Sequence, residues 1–408
     1  MPRPSRRRRK PLFVLPNPIL ERMIQQLIRF LTSLRLTVVC LALGILLVWV
    51  GTVAQSDEGL YQAQQRYFKH WWVAGVSLFG YRVPLALPGG YLIGTVLLVN
   101  LVASHLARFK FAWKKLGIHI THVGIILLLV GQLTTDLFSR ETQMRFAEGE
   151  TKSYSESAQE NELVFLTDAS APDRDEVVAI PESLLRRKGE IRHEKLPFTV
   201  RVQQYHVNSQ LRRRGPMVDT GPPPATQGAG PGVVLTPVAE TRSMDERNLP
   251  SAVLELAGAP GTSGTWLVSP LLEPQEFKVG DRSWRMALRW RRVYNPFSMQ
   301  LLKTTHEVYR GTDIPKNFQS RIRLENPAKR ENREVDIYMN NPLRYQGLTF
   351  FQYQMGRDEM DQSRGTSTLQ VVRNPSWLTP YVGCATVAAG LLYQFLMHLA
   401  GFIKRRVA

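Results

Sequence analysis

Four long runs of uncharged, mainly apolar residues recur along the chain, at residues 36–54, 83–104, 116–135 and 374–403. An α-helix rises about 1.5 Å per residue, so the shortest run of 19 residues is about 28 Å long and can cross a bilayer's hydrocarbon core. The pattern predicts transmembrane helices at about 36–54, 83–107, 116–136 and 374–403. The first is interpreted as uncleaved, because its apolar stretch exceeds the roughly 7–15 residues of a signal-peptide core.

Residues 139–373 instead alternate polar and apolar positions, the period of a β-strand with one buried face. Asn-Pro pairs at 295–296, 326–327 and 341–342 indicate turns between such strands. These features predict a large, mainly antiparallel β domain, with a sandwich or barrel-like fold. Residues 208–234, rich in glycine and proline, are predicted to be a flexible insertion.

The positive charge of the chain lies beside the apolar runs. The formal net charge is +18, and residues 1–35, 106–115 and 404–406 together carry fifteen of these charges. Lys and Arg flanking transmembrane helices mark the cytoplasmic side. The positive charge is therefore explained by a membrane protein, which argues against nucleic acid as a partner. We expect a basic cytoplasmic N-terminus (1–35), a cytoplasmic tail (404–408) and an outer domain (139–373). The aromatic loop 55–82 then lies outside, where it predicts an interfacial helix on the outer leaflet.

Both cysteines, Cys40 and Cys384, fall within predicted spans. The outer domain therefore has no thiol, so it cannot form a disulfide or exchange thiols itself. No nucleophile–base triad, phosphate-binding loop or CxxCH motif is found, and no catalytic residue is assigned.

Histidines are the candidate ligands. His105, His119, His122 and His398 all fall in the cytoplasmic half of the predicted spans, where ionisable groups are costly and often functional. No thiolate or carboxylate accompanies them, which disfavours a zinc or di-iron site and favours haem iron. His119 and His122 are three residues apart and point the same way. A second axial ligand would come from His105, His398 or a partner protein. Alternatively, His105 and His398 only extend toward the headgroups.

Two long segments carry a family resemblance. They are residues 309–320 (YRGTDIPKNFQS) and 337–347 (IYMNNPLRYQG), continued by LTFFQ. With the order of spans and Thr121-His122-Val123-Gly124 in the third, the chain resembles the ResB/CcsB membrane proteins of cytochrome c maturation. The resemblance covers nearly the whole chain.

The resemblance implies a subunit of a holocytochrome c synthase complex in a bacterial inner membrane, with a periplasmic β domain. A ResC/CcsA-like membrane protein would be its partner in moving haem b and attaching it to the CxxCH of apocytochrome c. His122 is then the expected axial ligand of haem iron, with His119 and His105 as further haem-binding candidates. External proteins would reduce the apocytochrome thiols, and the chain is not expected to be catalytic alone.

Two other classes of function stay open. A membrane b-type electron-transfer protein would need a haem in each leaflet, and the outer halves of the spans contain no histidine. A membrane-anchored scaffold or sensor would use the β domain for assembly, and its intramembrane histidines would only pack.

Overall fold

The computed structural model describes residues 18–78, 80–109, 111–168, 175–215, 219, 221–241, 247–258, 264–311, 315–358 and 361–407. The chain divides into a helical unit, Met1–Phe138 with Ser376–Ala408, and a β unit, Ser139–Pro375. The helices are α1 (Pro18–Leu31), α2 (Leu34–Glu58), α3 (Leu60–Ala63), α4 (Gly90–Arg108), α5 (Leu116–Phe138), α6 (Glu182–Arg187) and α7 (Thr379–Val407).

The strands run in chain order through both units. They are β1 (Trp72–Leu78), β2 (Tyr81–Pro88), β3 (Arg140–Ala147), β4 (Thr151–Asp168), β5 (Asp175–Pro181), β6 (Gly189–Ile191), β7 (Thr199–His206), β8 (Ser209–Arg213), β9 (Val233–Pro237), β10 (Ser251–Ala257), β11 (Thr265–Val268), β12 (Gln275–Val279), β13 (Arg282–Val308), β14 (Pro315–Asn326), β15 (Glu331–Tyr338), β16 (Leu343–Tyr345), β17 (Leu348–Arg357) and β18 (Gly365–Arg373).

Among the described residues of the helical unit, four helices are long and apolar enough to cross a membrane: Leu34–Glu58, Gly90–Ala107, Trp113–Phe138 and Thr379–Arg406. Trp113–Lys115 form a 3₁₀ turn that leads into α5. Together with the antiparallel β unit, these helices confirm the predicted fold class.

The second span begins later than predicted. Residues 83–88 belong to β2, which pairs antiparallel with β1 from Trp72↔Pro88 to Leu78↔Tyr81, and the helix starts only at Gly90. Pro84 and Pro88 explain the difference, because proline interrupts a helix but is tolerated in a short two-stranded hairpin.

The predicted interfacial helix at 55–82 was also wrong over most of its length. α2 continues to Glu58, α3 and a π-helical turn (Gln64–Phe68) follow, and β1 begins at Trp72. Tyr67 and Val76 are fully buried against Leu47 and Val50 of α2. The segment therefore has its own small core.

Residues 18–31 of the predicted N-terminal region form α1, and residues 1–17 lie outside the described residues. α1 is amphipathic, because Ile19, Met23 and Leu27 recur every four residues. Asn100 of α4 stabilises the break between α1 and α2. Its Nδ2 donates to the carbonyl oxygens of Leu31 (2.7 Å) and Ser33 (3.1 Å).

α5 and α7 pack through glycines. Gly117, Gly124 and Gly131 are buried and lie seven residues apart on α5, a spacing that keeps them on one face of a left-handed helix pair. A Cβ on Gly117 would lie 2.5 Å from the carbonyl oxygen of Gly390 in α7, and one on Gly124 would lie 2.7 Å from a methyl group of Val387. The two backbones therefore approach closely.

The β unit contains a ten-stranded sheet with the order β15-β14-β13-β4-β3-β18-β17-β16, to which β5 and β12 add at β4 and β13. β11-β10-β7-β6 form a second sheet. One hydrophobic cluster lies between the second sheet and β4, β5, β12 and the first part of β13, and another lies within the remaining strands of the large sheet. The long strand β13 therefore contributes to both cores, with Trp284 in the first and Met299 in the second.

Two predictions within the β unit need correction. Asn295-Pro296 does not end a strand, because β13 runs through it with a register irregularity between Tyr294 and Met299, where a residue without an N–H is tolerated. The insertion 208–234 is not simply flexible. Its described part includes β8, which pairs with β9, and buried Ala225, while residues 216–218 and 220 lie outside the described residues.

The second resemblance segment forms a tight hairpin in the large sheet. Gln346 (φ 48°) and Gly347 (φ 76°) make the two-residue turn between β16 and β17, which is the backbone of a type I′ turn. Tyr345, 9% exposed, donates its hydroxyl to Glu331 (2.6 Å) and accepts a hydrogen bond from Asn326 Nδ2 (2.8 Å). The Tyr345 hydroxyl therefore links the end of β14, at Asn326, to the start of β15, at Glu331.

Tyr345→Phe should destabilise the protein by about 1–3 kcal/mol, because buried Asn326 would lose the partner of its Nδ2 group. The phenyl ring would keep its edge contact with Phe297, whose centroid lies 5.0 Å from that of Tyr345. Urea unfolding of the full chain in detergent measures the effect. Tyr353→Phe, at an exposed position of β17, is the matched control, and equal midpoints for the two variants would contradict the structural role of Tyr345.

Candidate functional site

Three of the predicted histidines meet in the helical unit. His105 is three residues before the end of α4, and His119 and His122 lie in the first two turns of α5. The ring of His105 is 5.0 Å from that of His119 and 5.8 Å from that of His122, measured between centroids. We call these three residues the histidine cluster.

The loop between the two spans is short, and this brings the histidines of α4 and α5 to one level. Phe109 packs against the cluster from that loop, with its ring centroid 4.9 Å from His119. All three histidines are half-buried within the helical unit. The cluster therefore presents imidazoles and one aromatic ring, with no carboxylate among the ring contacts.

The orientation of His122 is fixed by its own helix. Its Nδ1 lies 2.9 Å from the carbonyl oxygen of Ile118. A carbonyl oxygen can only accept, so Nδ1 carries the hydrogen and the neutral ring keeps its lone pair on Nε2. Histidines that bind metals commonly donate their other N–H to a backbone carbonyl in this way. His122 Nε2 is therefore prepared to act as a ligand.

His398, the fourth predicted histidine, makes different contacts. Gln394, one turn earlier on α7, donates its Nε2 to His398 Nε2 at 2.9 Å and to the carbonyl oxygen of Lys114 at 3.3 Å. The Nε2 lone pair of His398 is thus occupied by a hydrogen bond. Of the alternatives for a second ligand, the structure places His105 beside His122 and gives His398 a separate role.

Within the part of the chain that the structure describes, no three His, Cys, Asp or Glu side chains converge as ligands of a bare metal ion. The His105 and His119 rings are in edge contact, at an interplanar angle of 84°, so no flat macrocycle fits between them. What the cluster offers is one directed imidazole nitrogen, which suits iron already held by a porphyrin.

A polar group at the other end of α5 was not among the predicted site residues. Asp136 accepts a hydrogen bond from the Tyr91 hydroxyl and pairs with Lys69 Nζ at 2.7 Å. Nearby, buried Glu58 accepts hydrogen bonds from Arg66 and from Ser77. Asp136 was visible as the acidic residue that ends the third apolar run, but its partners Lys69 and Tyr91 lie on either side of a hairpin that was not predicted.

The helical unit and the β unit together define a membrane protein with four apolar spans and a large antiparallel β domain. Residues 260–364 match the ResB-like family, and this range contains both of the segments on which the resemblance rested. The prediction of a ResB-like protein is confirmed for this part of the chain.

Protein NrfI of Wolinella succinogenes is 34% identical to this chain over 101 residues. The alignment covers 25% of this chain and 11% of NrfI, so the matched part spans about a tenth of that relative's length. The ResB-like match, residues 260–364, lies in the β unit and does not include the histidine cluster.

Proposed function

We propose that this chain is a membrane subunit of cytochrome c maturation that binds haem b as cargo through His122. The observation that carries the proposal is the histidine cluster within the spans, in which a backbone hydrogen bond leaves His122 Nε2 directed as a ligand. The ResB-like match over residues 260–364 supports the same function. His105 packs beside the ligand, and His119 packs in turn on His105.

The second axial ligand comes from outside the cluster in this proposal, because His105, the histidine beside His122, is in ring contact with both His122 and His119. A ResC/CcsA-like membrane protein would supply it and would share the haem during its passage. The distribution of Lys and Arg supports a position of the cluster near the cytoplasmic face. Haem would therefore enter at His122 and leave toward the periplasm.

The β unit would act in the periplasm, where apocytochrome c receives haem on its CxxCH thiols. The chain has only Cys40 and Cys384, both in membrane-spanning helices, so reduction of those thiols falls to other proteins. The β unit would hold the apocytochrome or the partner subunit. The chain is a component of the synthase complex and not a catalyst by itself.

The test is the haem content of the chain co-purified with its ResC/CcsA-type partner. A haem b Soret band should accompany the native complex, and His122→Ala should lower haem per complex at least tenfold. His398→Ala is the matched control, because the Nε2 lone pair of His398 accepts a hydrogen bond from Gln394. Equal haem in both variants, with normal cytochrome c production, would reduce the chain to a scaffold.

A further inference from the structure

A second histidine in the helical unit is oriented as His122 is. His70 is exposed and follows the π-helical turn Gln64–Phe68. Its Nδ1 lies 2.6 Å from the carbonyl oxygen of Gln65, so Nδ1 carries the hydrogen and the neutral ring keeps its lone pair on Nε2. That nitrogen is therefore available as a ligand on an exposed side chain.

The backbone that carries His70 is held against the start of α4. The N–H of Gly89 donates to the carbonyl oxygen of Trp71 at 2.8 Å. A Cβ on Gly89 would collide with the His70 carbonyl oxygen, and one on Gly90 would collide with that of Phe68. The two glycines thus allow a close backbone approach that fixes the position of His70.

His70 lies at the opposite end of α5 from His122. Its neighbour Lys69 pairs with Asp136 at 2.7 Å, and Tyr91, whose ring centroid is 6.3 Å from that of Trp71, also donates to Asp136. Asp136 follows His122 by fourteen residues, which is about 21 Å along a helix. The two directed imidazoles therefore lie near the two ends of one transmembrane helix.

The surface beside His70 is aromatic. Trp71 is 53% exposed and Trp72 is 65% exposed. Anchoring at a membrane interface accounts for exposed tryptophans, but it does not require a directed imidazole nitrogen on the residue that precedes them. A metalloporphyrin has an apolar face and a central iron atom. Exposed indole rings can contact that face, and the neighbouring imidazole can bind the iron.

We infer that His70 is the axial ligand of a second haem site at this end of the bundle, with Trp71 and Trp72 as its apolar walls. The inference rests on the proposed function and extends it. Haem released from His122 would reach His70 at the opposite side of the membrane before delivery. His70 would bind the iron through Nε2, and no covalent change of the haem is involved.

Haem stoichiometry of the full chain tests the inference. Ferric haem is titrated into nanodisc-embedded protein and followed by the Soret band. The native chain should saturate at two equivalents, His70→Ala at one, and the double variant with His122→Ala should show no saturable binding. His193→Ala should keep two equivalents. His193 is also exposed, but its Nδ1 accepts a hydrogen bond from the Lys195 N–H (3.2 Å), so its Nε2 carries the hydrogen.

Two further variants separate loss of the ligand from loss of the fold. His70→Asn can still donate to the Gln65 carbonyl oxygen, because its Nδ2 takes the position of the histidine Nδ1, so it should lose one haem equivalent without a change in thermal midpoint. His70→Gly should regain that equivalent when imidazole is added. Two equivalents in both His70→Ala and His70→Asn, or binding that never saturates in the native chain, would overturn the inference.

The same titration keeps this inference separate from the proposed function. If His122→Ala retains two equivalents and His70→Ala loses one, the site at His70 stands and haem binding by the histidine cluster fails. If only His122→Ala loses haem, haem binding by the histidine cluster stands and the site at His70 fails. Transfer of bound haem to an added apoprotein acceptor supports delivery of haem, whereas two firmly held haems with separate midpoint potentials favour electron transfer.

Discussion

Gly390→Leu should lower the thermal midpoint of the detergent-purified protein by several degrees. A Cβ at this position would lie 2.6 Å from the backbone nitrogen of Thr121 and 2.8 Å from the carbonyl oxygen of Gly117. Backbone atoms cannot move aside as a flexible side chain can, so α5 and α7 would have to separate. Overpacking of this kind costs about 1–3 kcal/mol and sometimes more, and close packing of small residues drives helix association in membranes.

Gly401→Leu is the control, because it lies on the same helix and a Cβ there meets no heavy atom within 4 Å. Thermal midpoints of both variants are measured by the fraction that stays monodisperse after heating. Equal midpoints for Gly390→Leu and Gly401→Leu would show that the glycine contact does not hold α5 and α7 together.

The same contact bears on the candidate site. Gly117 and Gly124 bracket His119 and His122 on α5, so the face opposite the glycines is the one free to meet α4. Gly390→Leu should therefore also disturb the contacts of His105 with the other two rings. We expect its haem content to fall with its stability, whereas His122→Ala should lose haem at an unchanged midpoint.

The sequence predicted the spans well because membrane crossing depends on composition and length, which are local properties. It misplaced the start of the second span, because an uncharged strand and an uncharged helix look alike in hydropathy. Pro84 and Pro88, four residues apart, were the available signal. The spacing of Ile19, Met23 and Leu27 was likewise visible in the sequence. This region was interpreted only from its basic residues, so the amphipathic helix α1 was not predicted.

The depth of the candidate histidines in the membrane was predictable from the sequence, but the contacts between their rings were not. His105, His119 and His122 fall at one level because a short loop joins their helices. Whether their rings touch depends on the rotation of α4 about its axis, which hydropathy does not report. His398 falls at a similar level, yet its Nε2 bonds to Gln394 one turn earlier on its own helix. The packing of α7 on α5 places that glutamine beside Gly117 and the Lys114 carbonyl oxygen. Three glycines at seven-residue intervals were the sequence signal for that packing.

His70 shows a different limit. Its position in the aromatic loop 55–82 was visible in the sequence, but the hydrogen bond that selects its tautomer is donated to a carbonyl oxygen five residues earlier. That contact exists only because residues 64–68 form a π-helical turn, and neither hydropathy nor periodicity predicts such a turn. Local backbone geometry, rather than residue type, distinguishes His70 from His193.

Glu182→Ala should destabilise the β unit by on the order of 3 kcal/mol, through loss of a buried hydrogen-bonded charge. Glu182 is 7% exposed and accepts hydrogen bonds from the backbone and side chain of Asn161 (2.9 and 3.0 Å), from Tyr205 (2.5 Å) and from Arg186 (2.9 Å). Removing the carboxylate would leave the Asn161 groups and the Tyr205 hydroxyl without their acceptor. Fluorescence of buried Trp266 and Trp284 follows urea unfolding of this core.

The carboxylate also predicts a pH dependence. Burial alone would raise the pKa of Glu182, but the hydrogen bonds from Tyr205, Asn161 and Arg186 outweigh burial and hold the pKa below its ordinary value. The unfolded chain therefore binds a proton at a higher pH than the folded chain does. The stabilisation is complete above the ordinary glutamate range, about pH 4.3, and is lost as the pH falls through the lowered pKa.

Glu182→Gln isolates this effect, because it keeps the size of the side chain and removes the titrating group. Its unfolding midpoint should fall less steeply with acid than that of the native chain. Glu190→Ala, which removes an exposed carboxylate paired with Arg201 and Arg192, should stay near the native midpoint at neutral pH. Parallel acid profiles for the native chain and Glu182→Gln would mean that other carboxylates control the acid stability of the β unit.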